Sequence, residues 1–272
     1  GTVDVTKDGS AELNIINRYS VRPRPPVIPP VTPPTKPMQP QTPTPAPTTE
    51  ILNTQEHFNY IMGYKDGSVH PNGNLTRAEA ATIIFRLLTE DARQKWLTEY
   101  NSFSDVRKGD WYNTAVSTLS SIGIVNGYED GSFRPDALIT RAELAAIISR
   151  FAQLDGGVSI RFTDIAGHWA EQNVMRAASN GWIAGYEDGS FRPDALITRA
   201  ETVTMINRVL DRVPVSVEDL LPGMQTFTDN LDASRWYYIP IQEATNYHAY
   251  VRREISGEKW VRLIPNIDWT VY

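Results

Sequence analysis

From residue 51 onward, apolar side chains recur at helical spacing. Val116, Leu119 and Ile122 fall three apart, and Leu144, Ile147, Ile148 and Phe151 make a stripe in steps of three and four. Ile83, Ile84 and Leu87, and again Met205, Ile206 and Val209, occupy the places matching that stripe. This pattern predicts amphipathic helices and a mainly α fold. Each of the three stripes starts at Thr-Arg-Ala-Glu and is preceded by a turn-rich Gly-Tyr-x-Asp-Gly loop. The Val116 helix instead follows Phe103, Asp105 and Trp111, a Phe-x-Asp…Trp lead that recurs as Phe162, Asp164, Trp169 and as Phe227, Asp229, Trp236.

Two segments break this pattern. Residues 1–20 alternate apolar and polar positions around a Lys-Asp-Gly turn signal, which predicts a hairpin ending an upstream β-domain, or a strand cut from its sheet. Val21–Pro47 holds twelve prolines in 27 residues and cannot offset its ordering entropy with a packed core. It reads as a semi-rigid polyproline spacer rather than an SH3-type ligand, spanning roughly 80 Å if fully extended.

The helical region is repetitive. GYEDGSFRPDALITRAE occurs unchanged at Gly127–Glu143 and Gly185–Glu201, 58 residues apart, and a looser version, GYKDGSVHPNGNLTRAE, runs from Gly63 to Glu79. A fixed period marks supersecondary units that bury their apolar faces against one another. The first loop-helix has no Phe-x-Asp…Trp half before it, and the last such half has no loop-helix after it. Pairing these orphans completes a third unit and closes the set, removing the need for caps at both ends. The expected organisation is 1–20 for the end of a β-domain, 21–50 for the linker and 51–100 for the first repeat's loop-helix half. Repeats two and three are 101–158 and 159–215, and 216–272 is a half-repeat closing the first, plus a tail without an assignment. Closure places Trp236, Ile241 and Ala244 near Ile83, Ile84 and Leu87.

Composition narrows the function classes. A net charge of −6 argues against duplex nucleic acid as a partner. No apolar run approaches a membrane span. Without cysteine, neither disulfides nor thiolate metal sites can form. The Asp-Gly loops lack alternating acids and a twelfth-position glutamate, which argues against calcium; no metal site or cofactor is expected. The chain opens in mid-pattern without a signal peptide and reads as part of something longer.

Thr-x-x-Glu before an apolar run is a capping box, so Thr76, Thr140 and Thr198 with Glu79, Glu143 and Glu201 read as structural helix caps. Arg77, Arg141 and Arg199 are harder to explain. They occupy the first helical position, where the helix dipole disfavours a cation. Three such arginines suggest a bound anion, held by guanidinium and helix amides together; the alternative is pairing to nearby acids such as Asp136 or Asp194. Tyr64, Tyr128 and Tyr186, each after a glycine (Gly63, Gly127, Gly185), suit either a sugar face or ordinary packing.

Together, Phe-x-Asp…Trp, Gly-Tyr-x-Asp-Gly-Ser-Phe-x-Pro and Ile-Thr-Arg-Ala-Glu resemble the S-layer homology (SLH) domains of Gram-positive surface proteins, over roughly Gln55 to Tyr250. The short Ala11–Tyr19 stretch likewise resembles the closing strand of collagen-adhesin B-type modules. The SLH resemblance implies a pseudo-threefold spindle of helix-loop-helix repeats. It also implies attachment to secondary cell wall polysaccharide bearing pyruvylated sugars, at the cell surface, by a monomeric anchoring region. By the same resemblance Arg77, Arg141 and Arg199 would engage the acidic ketal in grooves between repeats. Gly63, Tyr64, Gly127, Tyr128, Gly185 and Tyr186 would lie beside it, with Trp111, Trp169 and Trp236 as groove walls. The first loop departs from the others over Val69–Asn74, which implies a weaker or differently selective groove. The expected function is non-catalytic wall anchoring. The competing readings are a protein–protein module of a surface lattice and a glycan hydrolase using the repeated glutamates. The hydrolase reading is weak, because its carboxylates must pair across one bond and these are already committed as caps.

Overall fold

Thr-x-x-Glu sets three helix starts. At each, the threonine hydroxyl accepts from the glutamate amide and the glutamate side chain accepts from the threonine amide, in a complete capping box. The computed structural model describes residues 51–152, 161–254 and 257–269. The boxed helices are α1 (Arg77–Arg86), α4 (Arg141–Ser149) and α6 (Arg199–Val209). The others are α2 (Glu90–Trp96), α3 (Asn113–Ser121), α5 (Glu171–Ser179) and α7 (Tyr238–Thr245). A two-stranded antiparallel hairpin, β1 (His248–Arg252) and β2 (Glu258–Leu263), follows α7. The protein is thus mainly α, as the periodicity predicts. No described helix is long and apolar enough to cross a membrane. The expected upstream hairpin and proline spacer lie outside the described residues.

The stripes are buried where the spacing puts them. Val116, Leu119, Leu144, Ile148, Phe151, Ile84 and Ile206 all join one continuous core. Helices pack in pairs: α1 on α3, α4 on α5 and α6 on α7. The Phe-x-Asp leads work differently from the helices that follow them. Asp105 accepts from the amides of Phe133 and Arg134, Asp164 from Phe191 and Arg192, and Asp229 from Val69 and His70. Each lead therefore braces one loop, while the helix after it covers a different loop-helix. The C-terminal Asp229 reaches back to the first loop, and Phe227 lies against Gly63. The helix packing departs from expectation: α7, with Ile241 and Ala244, packs mainly on α6, and α1 is covered by α3. The reason is chain connectivity, since the helix between a lead and its loop folds back onto the preceding repeat.

Short backbone bridges tie the repeats together around this cycle: Thr76 with Leu138, Thr140 with Leu196, and Asn74 with Thr198. The Arg77 amide donates to the Ala137 carbonyl, that of Arg141 to Ala195 and that of Arg199 to Gly73, so repeat one meets two, two meets three and three meets one. The chain ends add a further closure. The Tyr60 and Ile61 amides donate to the Ala244 carbonyl, and Trp269 in the tail donates to the Asn59 carbonyl. Trp260 fills a small second core with Leu220 and Tyr238. The tail from residue 251 is thus a hairpin strand and a return over the first described residues.

Candidate functional site

The glutamate that caps each helix has a second carboxylate oxygen, and at two of the three junctions that oxygen serves the neighbouring repeat. Glu143 Oε2 accepts from the Thr140 amide at 2.9 Å, while Oε1 accepts from Arg77 Nη1 at 2.9 Å and from the Tyr128 hydroxyl at 2.7 Å. Glu201 repeats this with Thr198, Arg141 Nη1 at 2.8 Å and Tyr186 at 2.7 Å. The arginines also donate through Nε to loop carbonyls, of Phe133 from Arg77, Phe191 from Arg141 and Val69 from Arg199. Arg77 and Arg141 each lie 4.7 Å from a tyrosine ring centre, those of Tyr128 and Tyr186. A cation at the first helical turn is therefore offset by the next repeat's carboxylate. That carboxylate, rather than Asp136 or Asp194, is the acid these two arginines meet; Asp194 faces His168 at 3.2 Å.

The predicted site residues fall into three groups. Arg77, Arg141 and Arg199 are 5%, 4% and 6% exposed, sunk into the repeat junctions. Tyr128 is buried and Tyr186 half-buried in those junctions, while Tyr64 is exposed. Gly127 is required by packing: a Cβ there would come within 2.5 Å of both the Phe103 ring and the Ser132 carbonyl. Gly185 meets Phe162 in the same way, and Gly63 meets Phe227. Trp111 and Trp236 are exposed and Trp169 is half-buried, so all three indoles present a face to solvent.

Between α1 and the α4–α5 pair these elements leave a groove. About 520 Å³ of open space, its mouth included, is lined by Arg77, Glu143, Phe133, Trp169, Asn173 and Arg150 among others. Arg150 is the residue that sequence reasoning missed. It follows Arg141 by nine positions, as Arg86 follows Arg77 and Arg208 follows Arg199, a recurrence visible in the chain. Its guanidinium donates to the Ile124 carbonyl, and burial together with the nearby Arg77 charge lowers its pKa to about 10. Two guanidinium groups thus share the groove with a single carboxylate, which favours an anion. Asn173 accepts from the Ser149 hydroxyl, leaving its amide NH2 as the donating end. The groove combines a positive floor, an amide donor and an indole wall.

The equivalent positions elsewhere differ. At the second junction Pro240 stands where Asn173 does, and Arg208 is exposed. At the third, Arg86 is drawn away to the Tyr60 carbonyl, 5.6 Å from the Trp269 ring, and Ala115 replaces Asn173. Among the described residues Arg199 forms no ion pair with Glu79 and donates instead to the carbonyls of Val69 and Met62.

A family model described as the S-layer homology domain matches residues 57–81, 102–145 and 161–203. The chain is 34% identical over 236 residues to cell surface glycoprotein 1 of Acetivibrio thermocellus, covering 82% of this chain and 10% of that protein. It is 36% identical over 214 residues to the cellulosome-anchoring protein of the same organism, covering 76% of this chain and 46% of that protein. The surface-layer 125 kDa protein of Lysinibacillus sphaericus is 31% identical over 159 residues, covering 56% of this chain and 13% of that protein. The chain thus spans less than half the length of each of these relatives.

Proposed function

We propose, from the premise that the chain belongs to the S-layer homology domain family, that it is a non-catalytic module holding a longer protein at the cell surface by binding an anionic wall polysaccharide. The relatives' anchoring and surface-layer names support the coarse role. The finer reading is a pyruvylated glycan seated in the groove between the first two repeats. The observation that carries it is the pair of guanidinium groups, Arg77 and Arg150, facing one carboxylate beside the Trp169 face. The ketal carboxylate would take charge-assisted bonds from Arg150 and the Asn173 amide, and the sugar ring would lie on the indole. In this reading Arg77 is held in place by Glu143 and supplies field more than contact; at weaker grooves Arg141, held by Glu201, and Arg199, held by loop carbonyls, do likewise.

The test separates the polar floor from the junction. Arg150→Ala, made in the full chain and assayed by sedimentation with purified wall polysaccharide, should lose binding by about tenfold or more while unfolding near the parent temperature. Chemical removal of pyruvate from the polymer should produce a similar loss with the parent chain. Equal retention of the depyruvylated polymer would overturn the ketal reading. Concentration-dependent self-association without polymer would instead favour the surface-lattice role over a monomeric anchor.

A further inference from the structure

Four titratable side chains unused by the groove converge at the other end of the molecule. His57 precedes the first loop, Glu243 is on α7, His248 opens β1 and Glu258 opens β2. All four are fully buried, and one ligand-type atom from each lies within 4.8 Å of every other. His57 Nδ1 is 3.2 Å from His248 Nε2, 3.0 Å from Glu243 Oε1 and 3.4 Å from Glu258 Oε1. His248 Nε2 is 3.3 Å from Glu243 Oε2. From this geometry we infer a divalent metal site of the zinc class, with His57 Nδ1, His248 Nε2 and one oxygen each from Glu243 and Glu258 as ligands.

Three features of the geometry suit a bound cation at this point. The first is tautomer. His248 Nδ1 lies 2.9 Å from the Asn246 carbonyl, which can only accept, so a proton sits on Nδ1 and Nε2 is the ring nitrogen turned toward the cluster as the ligand atom. The second is satisfaction. A single N–H on His57 Nδ1 has three candidate acceptors within 3.4 Å, Glu243 Oε1, Glu258 Oε1 and His248 Nε2, and can serve only one of them. The third is spacing. Nitrogen and oxygen ligands about 2.0–2.2 Å from a tetrahedral zinc lie about 3.3 Å from one another; the four pairs given above span 3.0–3.4 Å, and all four ligand atoms lie within 4.8 Å of one another.

The surroundings hold the ligands rigidly. The His57 ring stacks on Tyr250 at 3.8 Å between centres, and the His248 ring on Trp260 at 3.9 Å. The Trp260 indole N–H donates to Glu243 Oε2 at 2.8 Å, and the Val213 amide to Glu258 Oε1 at 3.1 Å. Such second partners orient ligands and fix their tautomers. Two nitrogens and two oxygens suit zinc better than calcium, which takes six or more oxygens. The metal would join the segment before the first loop to the last hairpin, 191 residues apart at the two histidines. This inference is independent of the glycan reading.

The experiment uses the full chain, treated with chelator and then titrated with zinc by calorimetry. The expected result is about one zinc per chain and, at 100-fold excess over the dissociation constant, an unfolding temperature raised by ~5 °C or more. Cobalt in place of zinc should give the visible bands of a tetrahedral nitrogen–oxygen site, a readout that needs no variant. His248→Gln should abolish both, while His168→Gln, at a half-buried histidine paired with Asp194, should leave both intact. No uptake by the parent chain would overturn the proposal: Arg212 and Arg252, beside the cluster, would then already balance its two carboxylates. Uptake that persists in a folded His248→Gln or Glu258→Gln chain would overturn it equally.

Discussion

The two junctions built on the identical seventeen residues and the junction that closes the ring perform the same task with different chemistry. At the first two, arginine, glutamate and tyrosine form a triad across the repeat boundary, buried at the first and partly buried at the second. At the closing junction Arg199 keeps only carbonyl partners, its distance to the Tyr64 ring centre grows to 5.2 Å, and His70 replaces the loop arginine. That junction compensates elsewhere. Its loop is braced by Asp229 as the others are by Asp105 and Asp164, but here the tail also covers residues 57–61. A repeat inside the chain is secured by a charge it shares with its neighbour, whereas the seam is secured by polypeptide added at the end.

The largest expected contrast comes from the arginines. Arg77→Ala strands Glu143, 8% exposed, without its charged partner and should cost ~3–5 kcal/mol. Arg199→Ala removes two bonds to carbonyls and should cost ~1–3 kcal/mol. Denaturant unfolding of both variants checks this, and equal losses would dissolve the distinction between junction and seam. The same comparison revises the expectation from helix dipoles alone, under which removing these arginines should be harmless.

Acid unfolding should show a smaller effect. Burial raises the Glu201 pKa, but the Thr198 amide, the Tyr186 hydroxyl and Arg141 together outweigh it, and the net shift is downward from 4.5. A carboxylate whose folded pKa is depressed contributes stability that is present above the unfolded value and lost as pH falls through the folded one. Glu201→Gln should therefore keep a competent cap and flatten the stability profile below about pH 4.5. A profile parallel to the parent's would mean that Glu201 takes no part in acid unfolding.

The smallest contrast is at the tyrosines. Tyr128→Phe removes a hydroxyl bonded to Glu143 and should cost ~1 kcal/mol, while Tyr64→Phe, at an exposed ring, should cost close to nothing. Thermal unfolding of the pair measures it, and an equal cost would place Tyr64 in a contact like that of Tyr128.

What could be read in the chain follows from whether the signal is local. Thr-x-x-Glu places three helix starts because the capping box closes within four residues. The stripes place the core because helical period is local too. The arginine's partner is on another repeat, 60 or more residues away, and an identical motif gives no hint of which copy it meets. Arg150 was within reach through the nine-residue recurrence, but burial beside Arg77 is a tertiary property. The four residues of the His–Glu cluster are spread from 57 to 258 with no spacing rule, so only the fold brings them together. The β hairpin was missed because its strands alternate weakly and Trp260 is buried by a small separate core.

The tie between residues 57–61 and the C-terminal elements has a mechanical consequence. Tension entering at residue 51 meets Ala244, Ile267 and Trp269 within ten residues. The load enters first at the end of α1, where Ile51 and Asn53 bond Thr89 and Leu87. It then passes into the last helix and tail before it reaches the first loop, so peeling the chain from this end must also dislodge its far end. Pulled between residue 51 and residue 269, the module should yield in one cooperative rupture; a ladder of small steps, repeat by repeat, would show that the tie bears no force.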